Sequence, residues 1–530
     1  MGSSLFSSSC PNVGGMRLAD LLGGLSMVAD LGSGLDPEQA MRSCLVATAL
    51  ARNVDLPREV VRDVFYVPLL MYVGCIGLAH EATAAYGDEF ALGRAGARTN
   101  LGDPGDFRRT FIPELTRTMD GPARARAIQF MVTHGAEFGR RLTTGSCEVT
   151  RATARRIGLP ESTQRALYEV SEFWSGGFAP QGLVGEEIAI AARVARVAAD
   201  AAFFDHIGDA ELAVTALRQR AGGVLDPDVV EAFVADAPAL LAEGNTGDPR
   251  DRILEVEPEP VLECDDAGLA DVAAAFGDLA DVKVPFLHGH SREVARLAVG
   301  AARQVGVDAR TAARLEVAAR LHDLGRVGIS NALWEKAGPL TRAEWEQVRL
   351  HAYYSERILA TSAGLTPMAA VVGMHHERLD GSGYHRASRG QDLPLSARLL
   401  AAADALSAMT QQRPYRPAMD LQAAAGALAQ EARDGRLDAD AVSAVLDIAG
   451  GSRRCRPADL RPGGLSDREV EVLALVAQGY SNPRIAERLF ISRRTAEHHV
   501  QHIYAKIGVS TRAGAALFAF EHDLLAAGPA

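Results

Sequence analysis

Along most of the chain, apolar residues recur at steps of three and four with charged residues between them, as in "SREVARLAVGAARQVG", "TAARLEVAARLHDLG" and "AAAGALAQEARDG". That period predicts amphipathic helices. Few segments alternate as strands do, so the expected class is all-α. Pro, Gly and acidic residues cluster at 243–268, and Gly, Arg and Pro at 450–464, which predicts linkers there. The apolar run 64–79, "VFYVPLLMYVGCIGLA", is shorter than the roughly 20 residues a bilayer span needs. Pro68 interrupts it, so a buried helix is expected. The opening "MGSSLFSSSCPNVGG" has neither the basic nor the apolar region of a signal peptide and reads as a loose tail ahead of Met16.

The pattern also repeats. At a constant offset of 205, Gly176, Gly185, Ala192, Arg193 and Ala198 match Gly381, Gly390, Ala397, Arg398 and Ala403. With small gaps, "NVDLPREVVRDVFYVPLLMYVG" matches "GVDARTAARLEVAARLHDLG". Two copies of one helical unit followed by a small C-terminal domain are expected.

Composition adds a charge asymmetry. Residues 451–530 carry 11 Lys and Arg against 8 Asp and Glu, a net of +3, while the whole chain is at −12, leaving −15 on the first 450. A generally basic nucleic-acid coat is excluded, but a locally basic C-terminus can meet phosphate. The six cysteines (Cys10, Cys44, Cys75, Cys147, Cys264, Cys455) show no CxxC spacing. They are read as buried, reduced residues of a cytoplasmic protein.

Seven of the fourteen histidines fall between His288 and His385, in the second copy. His290, His322 with Asp323, His351, His375 with His376, and Asp404 lie on separate predicted helices. Imidazoles and carboxylates converging from several helices are what a buried two-metal site needs. An adjacent His-Asp pair lets the carboxylate bridge two cations. The repeat supplies a control: His351, His375, His376, Asp380 and Asp404 fall on Ser146, Val170, Ser171, Ser175 and Ala199, and His322 and Asp323 on Met71 and Tyr72. The first copy keeps the glycines and alanines and loses the ligands, so a metal-free scaffold that pairs or senses is expected. His288 and His385 are read as solvated loop histidines.

From about residue 281 to 420, "GHS", "HDLGRVGI", "KAGPLT", "RLHAYYSERIL", "HHERLDGSGYH", "LPLSARLLAAAD" and "RPYRPAM" resemble the HD-GYP subgroup of the HD phosphohydrolases. The resemblance implies hydrolysis of a cyclic dinucleotide such as cyclic di-GMP, or of a related phosphate ester, at a centre of two or three divalent metal ions; the mixed N and O ligands suit the transition metals iron or manganese. It places His290, His322, Asp323 and Asp404 on one metal, with Asp323 bridging to a second held by His351, His375 and His376. It implies catalytic roles for Asp323, Arg326 and Asp380, and substrate contacts from Arg326, Gly383, Tyr384, Arg413 and Arg416. Three positions depart from the family: Gly-Tyr-Pro reads Gly383-Tyr384-His385, the usual lysine is Arg326, and the glutamate of three-metal members is Phe286. Two metals are therefore expected.

Residues 465–515 read as four short helices around Leu465, Val472, Leu473, Val476, Ile485, Ala486, Leu489, Val500 and Ile503. Ser481 or Asn482 is placed to cap the second helix and Ser492 the third. The stretch closely resembles the LuxR-type helix-turn-helix, with Ala496 in place of a usual valine and a small core cavity expected there. That resemblance implies double-stranded DNA as partner, a homodimer on DNA, and contacts from Ser492, Arg493, Arg494, Thr495, His498, His499 and Lys506.

The expected organisation is a tail (1–15), a degenerate metal-free HD-like domain (16–245), a linker (246–268), an HD-GYP-like domain (269–449), a second linker (450–464) and a helix-turn-helix domain (465–525). The expected protein is cytoplasmic, does not engage membrane, and couples hydrolysis to transcriptional regulation. The alternative is a non-catalytic regulator whose metal site only senses a nucleotide.

Overall fold

A computed structural model describes residues 15–451 and 462–527. The protein is all-α: among the described residues the one sheet is an antiparallel pair of two-residue strands, Met16–Arg17 with Glu263–Cys264. The expected tail, the middle of the second linker, Cys10 and Cys455 lie outside the described residues. No single helix among those described is long and apolar enough to cross a membrane.

The chain divides into two compact units, the first built from residues 16–264. Its core packs the helices Gln39–Asn53, Arg58–Leu70 and Ile190–Ile207 against one another. Alanines at Ala47, Ala51, Ala191, Ala195 and Ala198 are almost fully buried and let these helix axes approach closely. Residues 246–264 of the expected linker belong to this unit. Asp248 accepts the Arg250 amide, Pro249 fills the first turn, and the resulting helix Pro249–Val256 buries Ile253 against Gly23. The Asp-Pro pair that suggests a linker is here a helix start.

The run 64–79 is mostly buried but is not one helix. Arg58–Leu70 contains Pro68, and a separate short helix, Val73–Ile76, follows. The break lets Gly74 press against the Ser146 carbonyl and donate its amide to Thr150 Oγ1 at 3.1 Å. Of the described cysteines, Cys44 and Cys147 are buried as expected, but Cys264 is half-buried and Cys75 exposed.

The second unit holds the helices Asp266–Val282, His290–Gln304, Ala309–Leu321, Arg342–Ala360 and Leu395–Thr410, together with the C-terminal helices. Its internal geometry repeats that of the first. Gly325 presses on the His351 carbonyl and donates to Ser355 Oγ at 2.8 Å, the counterparts of Gly74, Ser146 and Thr150. Arg193 pairs with Asp226 at 2.7 Å and bonds the Ile188 carbonyl, while Arg398 pairs with Asp438 at 3.0 Å and bonds the Leu393 carbonyl. Buried Glu172 accepts the Gln181 and Gly182 amides, and buried Glu377 those of Arg386 and Ser388.

Candidate metal centre and nucleic-acid interface

Five helices of the second unit bring the site together. His290 opens His290–Gln304, His322 and Asp323 follow Ala309–Leu321, and His375 and His376 follow Thr366–Gly373. His351 and Asp404 project from within Arg342–Ala360 and Leu395–Thr410. The donor atoms form two groups, each within 4.8 Å: His290, His322, Asp323 and Asp404 in one, and His351, His375 and His376 in the other.

Asp323 faces both groups. Its Oδ2 lies 3.0 Å from His322 Nε2 and 3.4 Å from His290 Nε2, while its Oδ1 lies 3.5 Å from His351 Nε2 and 3.6 Å from His375 Nε2. Asp404 Oδ1 is 3.1 Å from His290 Nε2, and its Oδ2 is 3.6 Å from His376 Nδ1.

The ring orientations are fixed from behind. Nδ1 of His322, His351 and His375 lies 2.8, 2.6 and 2.6 Å from the carbonyls of Ala319, Val348 and Val372. A carbonyl can only accept, so each Nδ1 carries a proton and each Nε2 faces inward. His290 Nδ1 lies 3.1 Å from both Ser407 Oγ and Gln411 Oε1. Asp281 accepts both the amide and the hydroxyl of Ser291, which pins the turn that carries His290.

Burial opposes charge on Asp323, but Arg326, with Nη2 2.7 Å from Oδ2, and His322 outweigh it and hold the carboxyl well below its ordinary range. Burial also opposes protonation of His322, yet Asp323 and Asp404 hold its pKa up at about 10. Burial pushes His351 down to about 3, and burial with the neighbouring His375 pushes His376 well below its ordinary value. Neutral imidazole is the ligand form, so His351 and His376 stand ready to bind while His322 must release its second proton to do so.

The residues fit divalent metal ions. His322 Nε2 and both Asp323 oxygens are buried and make no well-formed hydrogen bond. Buried polar atoms are normally satisfied, and these converge on a mixed imidazole and carboxylate donor set suited to first-row transition metals.

The remaining expected residues divide. Buried Arg326 stacks on Trp334 at 5.2 Å, and Trp334 Nε1 donates to its carbonyl. Tyr384 lies 4.8 Å, ring to ring, from His376. Gly383 passes so close to the His376–Arg378 backbone that a Cβ would collide. Arg413 is buried over Phe286, and burial together with the nearby Arg326 lowers its guanidinium to about 10.

Other expectations need correction. Asp380 is exposed and accepts the Ser382 amide and hydroxyl at 2.9 and 2.7 Å; it closes its own turn, outside both donor groups. Arg416 donates to the carbonyls of Ala408, Met409 and Pro417, so its role is to close a loop. His288 and His385 are half-buried, His288 against Phe520 and His385 with Nε2 3.2 Å from Glu356. Sequence reasoning overlooked Trp334, Asp281, Gln411 and Glu377. Of these only Glu377 left a sequence signal, its match to Glu172 at the repeat offset.

The four C-terminal helices are Asp467–Ala477, Asn482–Arg488, Arg493–Ile507 and Arg512–Glu521, and all nine expected core residues are buried. Ser492 Oγ accepts the Thr495 amide and caps the third helix. Ser481 stands at the cap position of the second without a side-chain bond. Arg493, Arg494, Thr495 and His498 are exposed at one end, with His499 half-buried beside them. Lys506 is engaged within the domain: its Nζ lies 2.7 Å from Glu469 Oε2 and 3.3 Å from the Gly464 carbonyl. Within the same unit, Arg292 bonds Asp278 through two nitrogens and reaches Asp523, just beyond the last of these helices, at 3.0 Å.

A family model described as "HD domain" matches residues 275–441, and one described as "Bacterial regulatory proteins, luxR family" matches residues 464–519. Over 411 residues the chain is 29% identical to the 3'3'-cGAMP-specific phosphodiesterase 3 of Vibrio cholerae, covering 77% of this chain and 89% of that protein. Over 158 residues it is 32% identical to a cyclic di-GMP phosphodiesterase of Thermotoga maritima, covering 29% of this chain and 43% of that one. The crystal structure of a cyclic GMP-AMP specific phosphodiesterase of V. cholerae matches with a TM-score of 0.57 at 25% identity, over 83% of this chain and 99% of its own. The chain thus joins an HD domain, whose relatives are cyclic dinucleotide phosphodiesterases, to a C-terminal helix-turn-helix domain of the luxR family.

Proposed function

We propose that the second unit hydrolyses a cyclic dinucleotide at two iron or manganese ions, and that the C-terminal helices carry this activity to DNA. The observation that supports it best is Asp323, whose two buried oxygens face separate histidine groups. His290, His322, Asp323 and Asp404 would hold one ion, and Asp323 with His351, His375 and His376 the other. Bound there, the ions would supply a hydroxide nucleophile and offset charge on the phosphoryl group. Arg326 and Arg413 add positive charge at the edge of the centre, and Tyr384 and Gly383 shape the adjoining loop. Phe286 offers no donor atom, which supports two ions over three.

The substrate class rests on the relatives, which are phosphodiesterases of 3'3'-cGAMP and cyclic di-GMP. On the DNA side, Arg493, Arg494, Thr495, His498 and His499 offer donors to the major groove from the start of a capped helix. A cytoplasmic homodimer on two half-sites, away from membrane, completes the reading. Protein prepared with iron or manganese is expected to contain close to two ions per chain and to cleave 3'3'-cGAMP or cyclic di-GMP. Protein that takes up no metal would overturn the reading, and saturable binding of both nucleotides without cleavage would make the centre a sensor.

A further inference from the structure

The first unit contains a partly open cavity of about 740 Å³. Its wall includes Met71, Tyr72, Ser146, Val170, Ser171 and Ala199. These are the positions that correspond through the repeat to His322, Asp323, His351, His375, His376 and Asp404. The matching Gly74 and Gly325 hydrogen bonds fix that correspondence in the structure. The cavity is therefore the first copy's version of the metal centre: the space survives, and every metal donor with a counterpart has been replaced.

The chain has also roofed it. Tyr72 and Ser146 are 74 positions apart, while Asp323 and His351 are 28 apart, so the first copy carries 46 more residues at this point. They supply the separate apolar cluster of Tyr86, Phe111, Leu115 and Phe138, with Phe107 and Met131 packed on it, and much of this cluster faces the cavity. Phe107–Phe111 forms a π-helical turn, a form that recurs at functional sites.

Glycine keeps the space open. Gly96 and Gly139 lie inside helices and line the cavity, yet a Cβ at either would meet nothing within 4 Å. A helix-interior glycine is destabilising relative to alanine, and no packing constraint requires it at either place. Cys75 shows the character of the interior: its thiol is accessible, yet burial pushes its pKa up.

The polar groups sit off balance. The charged residues on the wall are Glu89, Arg108, Arg196, Asp200 and Arg220, an excess of one positive charge. Asp200 bonds Arg220 at 2.5 Å through Oδ2, while its Oδ1 stands 3.6 Å from Arg196 Nε, an ion pair too long to give that buried nitrogen a hydrogen bond. A largely apolar chamber of this size with a few convergent polar groups has the character of a small-molecule site.

We infer that the first unit binds a drug-sized amphipathic anion, with its apolar body among the aromatic residues of the roof and its acidic group at Arg196. This site is independent of the metal centre and of the reaction proposed there.

The full-length protein can be titrated with 1-anilinonaphthalene-8-sulfonate, an aromatic body bearing one acidic group, and with dodecanoate as competitor. Saturable fluorescence enhancement at one site per chain is expected. Dodecanoate should reverse it, and should protect Cys75 from N-ethylmaleimide, read on the Cys75 peptide by mass spectrometry. Gly139→Phe should abolish binding while replacing a helix-interior glycine, and Arg196→Gln should weaken dodecanoate at least tenfold. Both variants should keep the parent's metal content. Absence of saturable binding, or binding unchanged in both variants, would overturn the inference. Dodecanol competing as well as dodecanoate would overturn the acidic head group.

Discussion

Asp323 and Asp380 are both aspartates of the motif region, but the structure gives them opposite surroundings. Asp323 is buried between two histidine groups, whereas Asp380 is exposed and bonded to Ser382. Asp323→Ala is accordingly expected to lose both metal ions and Asp380→Ala to keep them, as measured by elemental analysis of purified protein. The seven candidate ligands could be named from sequence because a histidine or aspartate on each of several helices has few other reasons to recur, and the first copy shows the same frame without them. The directions of Asp380 and Arg416 could not be read, because both lie in irregular loops where spacing does not fix orientation. Asp30 carries a different prediction. It is buried beneath the Ala40 amide, and burial raises its pKa from 3.8 to about 8. Between those values the folded chain holds a proton that the unfolded chain releases, so stability should fall as pH rises through this window. Asp30→Asn keeps the acceptor and removes the charge; the pH slope in thermal unfolding should flatten.

The third C-terminal helix shows how far local rules reach. Ser492 caps it, Gly508 ends it in a left-handed conformation, and its apolar residues Ala496, Val500 and Ile503 face inward. All of this follows from sequence spacing. Ser492→Ala should cost about 1 kcal/mol, read as a lower melting temperature of the C-terminal domain. Arg494→Ala should weaken DNA binding, by about 1–3 kcal/mol of discrimination if the side chain reads a base. Lys506→Ala should act on stability instead. Burial alone would raise Glu469, but Lys506 and Ser466 hold it down at about 2, and the substitution leaves that carboxylate without its cation. An unchanged melting temperature with a large loss of DNA affinity would return Lys506 to the interface. Local rules failed at 64–79, where the break brings Gly74 to a distant hydroxyl, Thr150, and at 246–264, where Asp and Pro start a helix instead of loosening the chain.

Arg292 stands two residues after the candidate ligand His290 on the same helix and bridges Asp278 to Asp523, so one guanidinium ties that helix to the end of the helix-turn-helix domain. Nucleotide and DNA affinities should therefore be coupled, and equally in both directions, by about 1–3 kcal/mol. Asp523→Ala should reduce the coupling. Titrating DNA with and without a non-hydrolysable cyclic dinucleotide measures it, and identical affinities would mean that the domains are only tethered.

The duplicated frame has a practical consequence of its own. The amides of Gly74 and Gly325 donate to matched hydroxyls in matched surroundings, which makes them a paired set of hydrogen-exchange reporters within one chain. Metal loading should slow exchange at Gly325, two residues from Asp323, and leave Gly74 unchanged. A global change in stability would move both together. Each molecule therefore carries its own reference, against which occupancy of the centre can be read without a second protein preparation.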